Sequence, residues 1–335
     1  MRVGIIGTGA VAQKHAQAYA NIGFKVVVCT NTDPAHGQAF AGRFGCDFVP
    51  AYEQVCTHPD VDYVDVCTFP NFRLQAVQAC AEAKKHIQVQ KPIATNLETA
   101  RQMIETARRA GIQLGVVSQH RFDDSVQFLR SALEEGRLGK LIQADAYVKW
   151  YRSHAYYSRP IKGSWVTEGG GALITQAVHQ VDLLLWLAGG ISEVFGYWHL
   201  GALHNIESED VLSAVLKYSC GATGVIQAGT AFWPGYNERL EFHGTKGTAV
   251  ISGDKLTTWH VEGDWNPPML GGDPASGARD PMATPLAPFE RQFVDFADAI
   301  THGRKPLSSG EEGYRALQTV LSIYDSCRTG QVVRI

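Results

Sequence analysis

Two side chains stand out by type and by place. Lys91 lies in "IQVQKPIATN" (87–96), where a run that reads as a buried strand meets a proline, and a helix starts near Asn96. Proline fixes its own φ and bars the preceding residue from the helical region, so the pair aims an ammonium group at a set place past the strand end. On local sequence alone, Lys91 is either that directed cation or a surface lysine beside a turn. His179 lies in "GGGALITQAVHQVDLLLWLAG" (169–189), three glycines followed by an amphipathic helix pattern. Spacings of four and three put Thr175, His179 and Asp182 on one face, with Gln176 at its edge, while Leu183, Leu184 and Leu187 pack inward. Such an imidazole is either a satisfied core group or a proton acceptor. Thr175 either bonds a substrate or its own backbone one turn earlier.

A third stretch, "YVKWYRSHAYYSRPIKGSWVTEGGG" (147–171), mixes aromatic and basic residues. Tyr151, Tyr156, Tyr157 and Trp165 suit stacking on the C–H faces of a sugar. Arg152, Arg159 and Lys162 suit a carboxylate or phosphate, which hints at an acidic or nucleotide sugar. An edge or oligomer surface with solvated charges explains the same composition equally well. "FWPGYN" (232–237) is a second aromatic loop for the same pocket, and the Pro- and Gly-rich run 263–290 reads as a surface lid or interface arm.

The elements that would position these groups start at the first residues. "RVGIIGTGAVAQKHAQAYANIG" gives an apolar strand, then Gly7, Gly9 and Ala12 in a G-x-G-x-x-A spacing, then helical periodicity. Gly7 allows the turn, Gly9 lets backbone approach a pyrophosphate, and Ala12 lets the helix sit close to the strand, while the N–H groups at the helix N-terminus face the anion. Further strand and helix patterns alternate through "IQLGVVS", which predicts a doubly wound parallel sheet. In such sheets ligands bind beyond the carboxyl ends of the strands, where Lys91 would stand. Cofactor contacts are expected from Gly7, Thr8, Gly9, Ala10, Val11 and Ala12, from Thr30 and Asn31 after the second strand, and from Thr68, Pro70, Lys91, Pro92 and Gln119 after later ones. Asp33 before Pro34 reads as a helix cap, which leaves a neutral side chain at the ribose and both NAD and NADP open. After the histidine helix, alternating runs such as "DVLSAVLKYS" and "KLTTWHV" predict an antiparallel sheet with one covered face, and two helices close the chain near 288–302 and 310–329.

The bulk numbers exclude other classes. The 335 residues are 45% hydrophobic with a net charge of −3, an ordinary globular balance without a basic footprint for nucleic acid. No apolar run reads as a membrane span or signal peptide. Seven cysteines without a C-x-x-C pair argue against a disulfide scaffold or zinc site, so a cytoplasmic enzyme without a metal is expected. Neither a serine-hydrolase elbow nor a P-loop motif is present.

The chain resembles the glucose–fructose oxidoreductase / inositol dehydrogenase / rhizopine catabolism (Gfo/Idh/MocA) family over nearly its whole length. The resemblance rests on "GIIGTGAVAQKH", "VQKPIATN", "EEGRLGKLIQADAYV", "GGGALITQAVHQVDLLLWLAG", "EFHGTKGTAVI" and "PLSSGEEGYRALQTVLSIYDSCRTGQVV". It implies an α/β protein: an N-terminal Rossmann domain (1–121), and a C-terminal α/β domain (122–335) with a large, mostly antiparallel open sheet for substrate and oligomerisation, whose last helix packs back on the first. It also implies an NAD(P)-dependent oxidoreductase of sugars, sugar acids, cyclitols or nucleotide sugars, assembled as a homodimer or homotetramer. The family's lysine falls on Lys91 and its pocket histidine on His179. His179 would then take the hydroxyl proton while Lys91 stabilises the charge growing on that oxygen, or transfers the proton itself if its pKa is lowered. Tyr151, Arg152, Tyr156, Trp165, Thr175, Gln176 and Asp182 would bind substrate. Two positions depart from the pattern: Gln90 replaces a glutamate, and Thr175 an aspartate four residues before the histidine. Two rival readings follow: a glycosidase or lyase that oxidises its substrate transiently with retained NAD, and a non-catalytic nucleotide-binding regulator.

Overall fold

The computed structural model describes all residues except 160, 265–267, 272–277 and 279–283, so half of the expected lid or arm lies outside the described residues. The chain divides into two compact units, Met1–Gln119 with Pro285–Tyr314, and His120–Thr284 with Arg315–Ile335.

The first unit is built on six parallel strands: β1 (Arg2–Ile6), β2 (Lys25–Thr30), β3 (Asp47–Phe48), β4 (Tyr63–Val66), β5 (His86–Val89) and β6 (Leu114–Val116). Their order is β3-β2-β1-β4-β5-β6, the doubly wound arrangement. Helices α1 (Ala10–Asn21), α2 (Pro34–Phe44), α3 (Tyr52–Cys56), α4 (Arg73–Glu82) and α5 (Leu97–Ala110) connect them. Local chemistry sets several ends. Asp33 accepts from Ala35 N and His36 N with Pro34 next to it, and Asn96 accepts from Thr99 N at 2.8 Å. Gly45 and Gly111 close α2 and α5 in the left-handed region. The helical stretch after β4 is split, with a 3₁₀ turn at Pro70–Phe72 before α4. One face of the sheet is sealed by Tyr19 of α1 and by Phe289, Phe293 and Phe296 of the helix Ala287–His302.

The second unit holds eight strands: β7 (Leu141–Lys149), β8 (Ile191–Leu200), β9 (Glu209–Tyr218), β10 (Thr223–Gly229), β11 (Arg239–Gly244), β12 (Gly247–Ser252), β13 (Lys255–Val261) and β14 (Val333–Arg334). Their order is β13-β12-β11-β7-β10-β9-β8-β14, and only the β7–β10 pair is parallel. Along β9, Leu212, Ala214 and Leu216 point into the core while Ser213, Val215 and Lys217 point out, the period of two that one covered face demands. The histidine segment is not one uniform helix. Leu173–Ala177 forms a π turn, and the α-helix Val178–Ala188 begins one residue ahead of His179. Gly171 is the only residue type that fits where it stands, because a Cβ there would lie 1.8 Å from the Glu209 carbonyl oxygen. No helix among the described residues is long and apolar enough to cross a membrane.

Candidate active site

The glycine turn of the first unit is shaped for a dinucleotide. Gly7 sits at φ 90°, and a side chain there would press on Thr68 and on the Cys67 backbone. A Cβ on Gly9 would meet nothing within 4 Å, so backbone can be approached closely there. α1 has no side-chain cap and no acid in its first turn, and Ala10 and Val11 are exposed while Ala12 is buried against the sheet. Its N–H groups are left for an anion. Asn31 donates to Thr8 Oγ1 at 2.5 Å and accepts from Asp33 N, so the second-strand loop braces the first. Thr30 is joined through its carbonyl to Gly7 N at 2.9 Å. Farther along the strand ends, Thr68 Oγ1 and Gln119 Oε1 are buried with no hydrogen-bond partner among the described residues. Both sit among the expected cofactor contacts, and a buried polar atom of this kind calls for a ligand or water. The residues therefore fit an NAD-type group.

Lys91 follows β5 and is half-buried, with Pro92 fully covered. The residue before it explains the departure at position 90. Asp65 Oδ2 accepts from Tyr19 OH at 2.8 Å and from His15 Nδ1 at 2.7 Å. A carboxylate only accepts, so His15 donates through Nδ1, and its Nε2 then takes an N–H from Gln90 Nε2 at 2.8 Å. An amide at 90 can donate to that ring nitrogen, which a carboxylate, an acceptor only, cannot do. The buried phenol of Tyr19 is pushed well above its ordinary pKa, chiefly by desolvation.

In the second unit, the histidine segment hangs on Glu209, which is wholly buried. Its carboxylate accepts from Gly171 N and Leu173 N, each at 2.8 Å, and from Tyr324 OH at 2.7 Å. Burial pushes Glu209 up to about 7, against the pull of those donors. The ring of His179 meets His120 edge to face at 5.0 Å, and His120 Nδ1 is held by Asp123 at 2.8 Å. Thr175 Oγ1 donates to the Gly171 carbonyl at 2.7 Å, one turn back. Gln176 donates to Tyr156 OH at 3.2 Å and accepts from Arg152 at 3.0 Å, so these three are brought together. Lys162 caps the group, over the Tyr156 ring and 2.6 Å from Glu168. Burial works against its charge, but Tyr156 and Glu168 outweigh that and raise its pKa.

Other expected contacts sit elsewhere. Asp182 is buried, and both its oxygens are taken by Arg121 at 2.8 and 2.6 Å; this internal fork replaces the expected substrate role. Trp165 donates to the Glu207 carbonyl and packs against Trp198 and Tyr324, in an aromatic cluster apart from Tyr156. Tyr151 packs on the exposed Trp233 of the second aromatic loop, Tyr157 bonds Thr230 at 2.8 Å, and Arg159 is exposed. Arg73, Glu209, His15 and His120 were not singled out from sequence. Only His120 carried a usable signal, since it follows a parallel strand's carboxyl end as Lys91 does.

The glycine-turn cradle of the first unit, with a lysine at a neighbouring strand end, is the arrangement of a nicotinamide-dependent oxidoreductase. The family profile described as "Oxidoreductase family, NAD-binding Rossmann fold" matches residues 1–118, and "GFO/IDH/MocA C-terminal domain" matches 126–250. The chain belongs to the Gfo/Idh/MocA family. It is 29% identical to 1,5-anhydro-D-fructose reductase of Ensifer adhaerens, over 100% of this chain and 98% of that protein. It is also 29% identical to myo-inositol 2-dehydrogenase of Thermotoga maritima, over 95% of this chain and 93% of that one. The WlbA dehydrogenase of Bordetella pertussis, solved with NADH and UDP-GlcNAcA, superposes with a TM-score of 0.88 at 27% identity, covering 100% of this chain and 98% of that one.

Proposed function

We propose that the protein oxidises or reduces one carbinol carbon of a neutral sugar or cyclitol, with Lys91 and His179 acting on that carbon's oxygen. When bound, the nicotinamide ring exchanges the hydride. His179 accepts the hydroxyl proton, and the Lys91 ammonium donates a hydrogen bond to the oxygen as negative charge grows on it. The observation that carries this reading is the half-buried lysine at the end of β5, in the same unit as the glycine cradle. Names such as anhydrofructose reductase and inositol dehydrogenase among the relatives point to the same substrate class.

Neutral substrates are favoured over acids because two of the three expected basic side chains face protein groups, the third, Arg159, being exposed. Arg152 binds Gln176 and the Tyr151 and Ala278 carbonyls, and Lys162 binds Glu168. The outward face of the second sheet carries Tyr197 and Val215, 69% and 55% exposed, which supports a homo-oligomer closed over that face. Seven free cysteines support a reducing compartment such as the cytoplasm.

The test is a panel of neutral sugars, inositols, uronates and nucleotide sugars with NAD and NADP, read as net formation of reduced nicotinamide. Activity only on uronates or nucleotide sugars would refute the neutral class, and product without net reduction would mean a retained, recycled cofactor. Lys91→Ala should lower turnover by roughly 10² to 10⁴ and leave cofactor binding intact.

A further inference from the structure

Arg73 opens α4 and is 2% exposed, a charge taken out of water at considerable cost. Its guanidinium donates from Nε at 3.1 Å and from Nη2 at 2.6 Å to the Thr68 carbonyl. Nη1 donates to the carbonyls of Gln90 and Pro92. Those two residues flank Lys91, so one side chain grips the peptide groups on both sides of it and ties them to the loop after β4. The geometry has a physical origin. Past the end of a parallel sheet the strand carbonyls run out of ladder partners, and buried carbonyls must find donors elsewhere. A planar fork reaches acceptors on separate loops, while a lysine ammonium presents its donors from a single point. Burial lowers the Arg73 pKa to about 9, with Cys67 and Asp65 opposing, so the group keeps its charge at neutral pH.

We infer that Arg73 is the positioning residue for Lys91. It does not touch substrate. It sets where the ammonium stands by fixing the backbone before and after it, in register with the Thr68 loop of the cofactor shelf. The inference rests on the reading of Lys91 as the catalytic lysine. A merely structural arginine would stabilise the fold without discriminating between turnover and binding. A positioning arginine acts on the chemical step, because a displacement of about 1 Å at a reacting group costs roughly 10²-fold.

The experiment uses the full-length protein with NAD or NADP and the best substrate from the panel. Arg73→Gln and Arg73→Lys are made alone and in the Lys91→Ala background. Expected are a fall in kcat of about 10²-fold for Arg73→Gln and about 10-fold for Arg73→Lys. KM and the cofactor Kd, read by quenching of protein fluorescence, should stay near wild type. In the Lys91→Ala background neither Arg73 change should cost further turnover, because the group being placed is gone. Wild-type kcat in Arg73→Lys overturns the inference, as does a loss that adds in full to that of Lys91→Ala. Should Arg73→Gln fail to fold, the Arg73→Lys pair decides by the same criteria. Normal turnover in Lys91→Ala itself removes the reading beneath this one. A crippled Lys91→Ala beside unaffected Arg73 variants removes this inference alone.

Discussion

The lysine turn and the histidine segment are each held by one buried charge, of opposite sign. Arg73 gathers carbonyl oxygens past the ends of two strands, and Glu209 gathers the N–H groups of Gly171 and Leu173 where the histidine segment begins. Each satisfies main-chain dipoles where regular structure stops and hydrogen bonds run out. The two differ in how they answer pH. Burial drives both toward neutrality, yet Arg73 falls only to about 9, whereas Glu209 rises to about 7. The lysine turn therefore keeps its clamp across the neutral range, while the clamp on the histidine segment titrates within it.

The largest effect expected from the histidine side is on chemistry. On the proposed mechanism His179→Ala should lower kcat by roughly 10² to 10⁴, matching Lys91→Ala, since each would supply one half of the proton and charge handling. A kcat within a few-fold of wild type in either variant would break the comparison. Next comes the Arg121–Asp182 fork: Asp182→Ala removes the carboxylate that takes two N–H groups of a buried guanidinium and should cost about 3–5 kcal/mol in denaturant unfolding. Unchanged stability would return Asp182 to the pocket as a candidate contact.

Glu209 gives a smaller, signed effect. Its folded pKa of about 7 lies above the ordinary 4.5, so between these values the folded state holds a proton that the unfolded state has released. Its contribution to stability is therefore greatest below 4.5 and declines as pH rises through 7. Thermal melts of wild type and Glu209→Gln across that window should differ in slope, with the glutamine variant flatter; parallel curves would show that Glu209 does not titrate there. The smallest effect belongs to Lys162. Lys162→Met should change KM for a neutral sugar only slightly, and a large rise confined to acidic substrates would show that its charge faces ligand after all.

Much of this architecture was legible in the sequence because it is written in local terms. Apolar runs marked β1, β2, β4 and β5, alternation marked β9 and β13, and Asp33–Pro34 and Asn96 announced helix starts through bonds to residues only two or three away. The anchors of the candidate site are different in kind. Arg73 binds residues 5, 17 and 19 positions away, and Glu209 binds partners 36, 38 and 115 away. Locally, an arginine at the start of a helix reads as solvent-facing, and a glutamate within "ESED" reads as one of several surface acids. The π turn at Leu173–Ala177 was equally invisible, since it follows from how the segment is tethered to Glu209 and Tyr324 rather than from its own periodicity.

The close approach at Gly171 sets terms for anyone who wishes to retarget this catalyst. Libraries that randomise the triglycine run would mostly return misassembled proteins, since even one methyl group there collides with the Glu209 main chain.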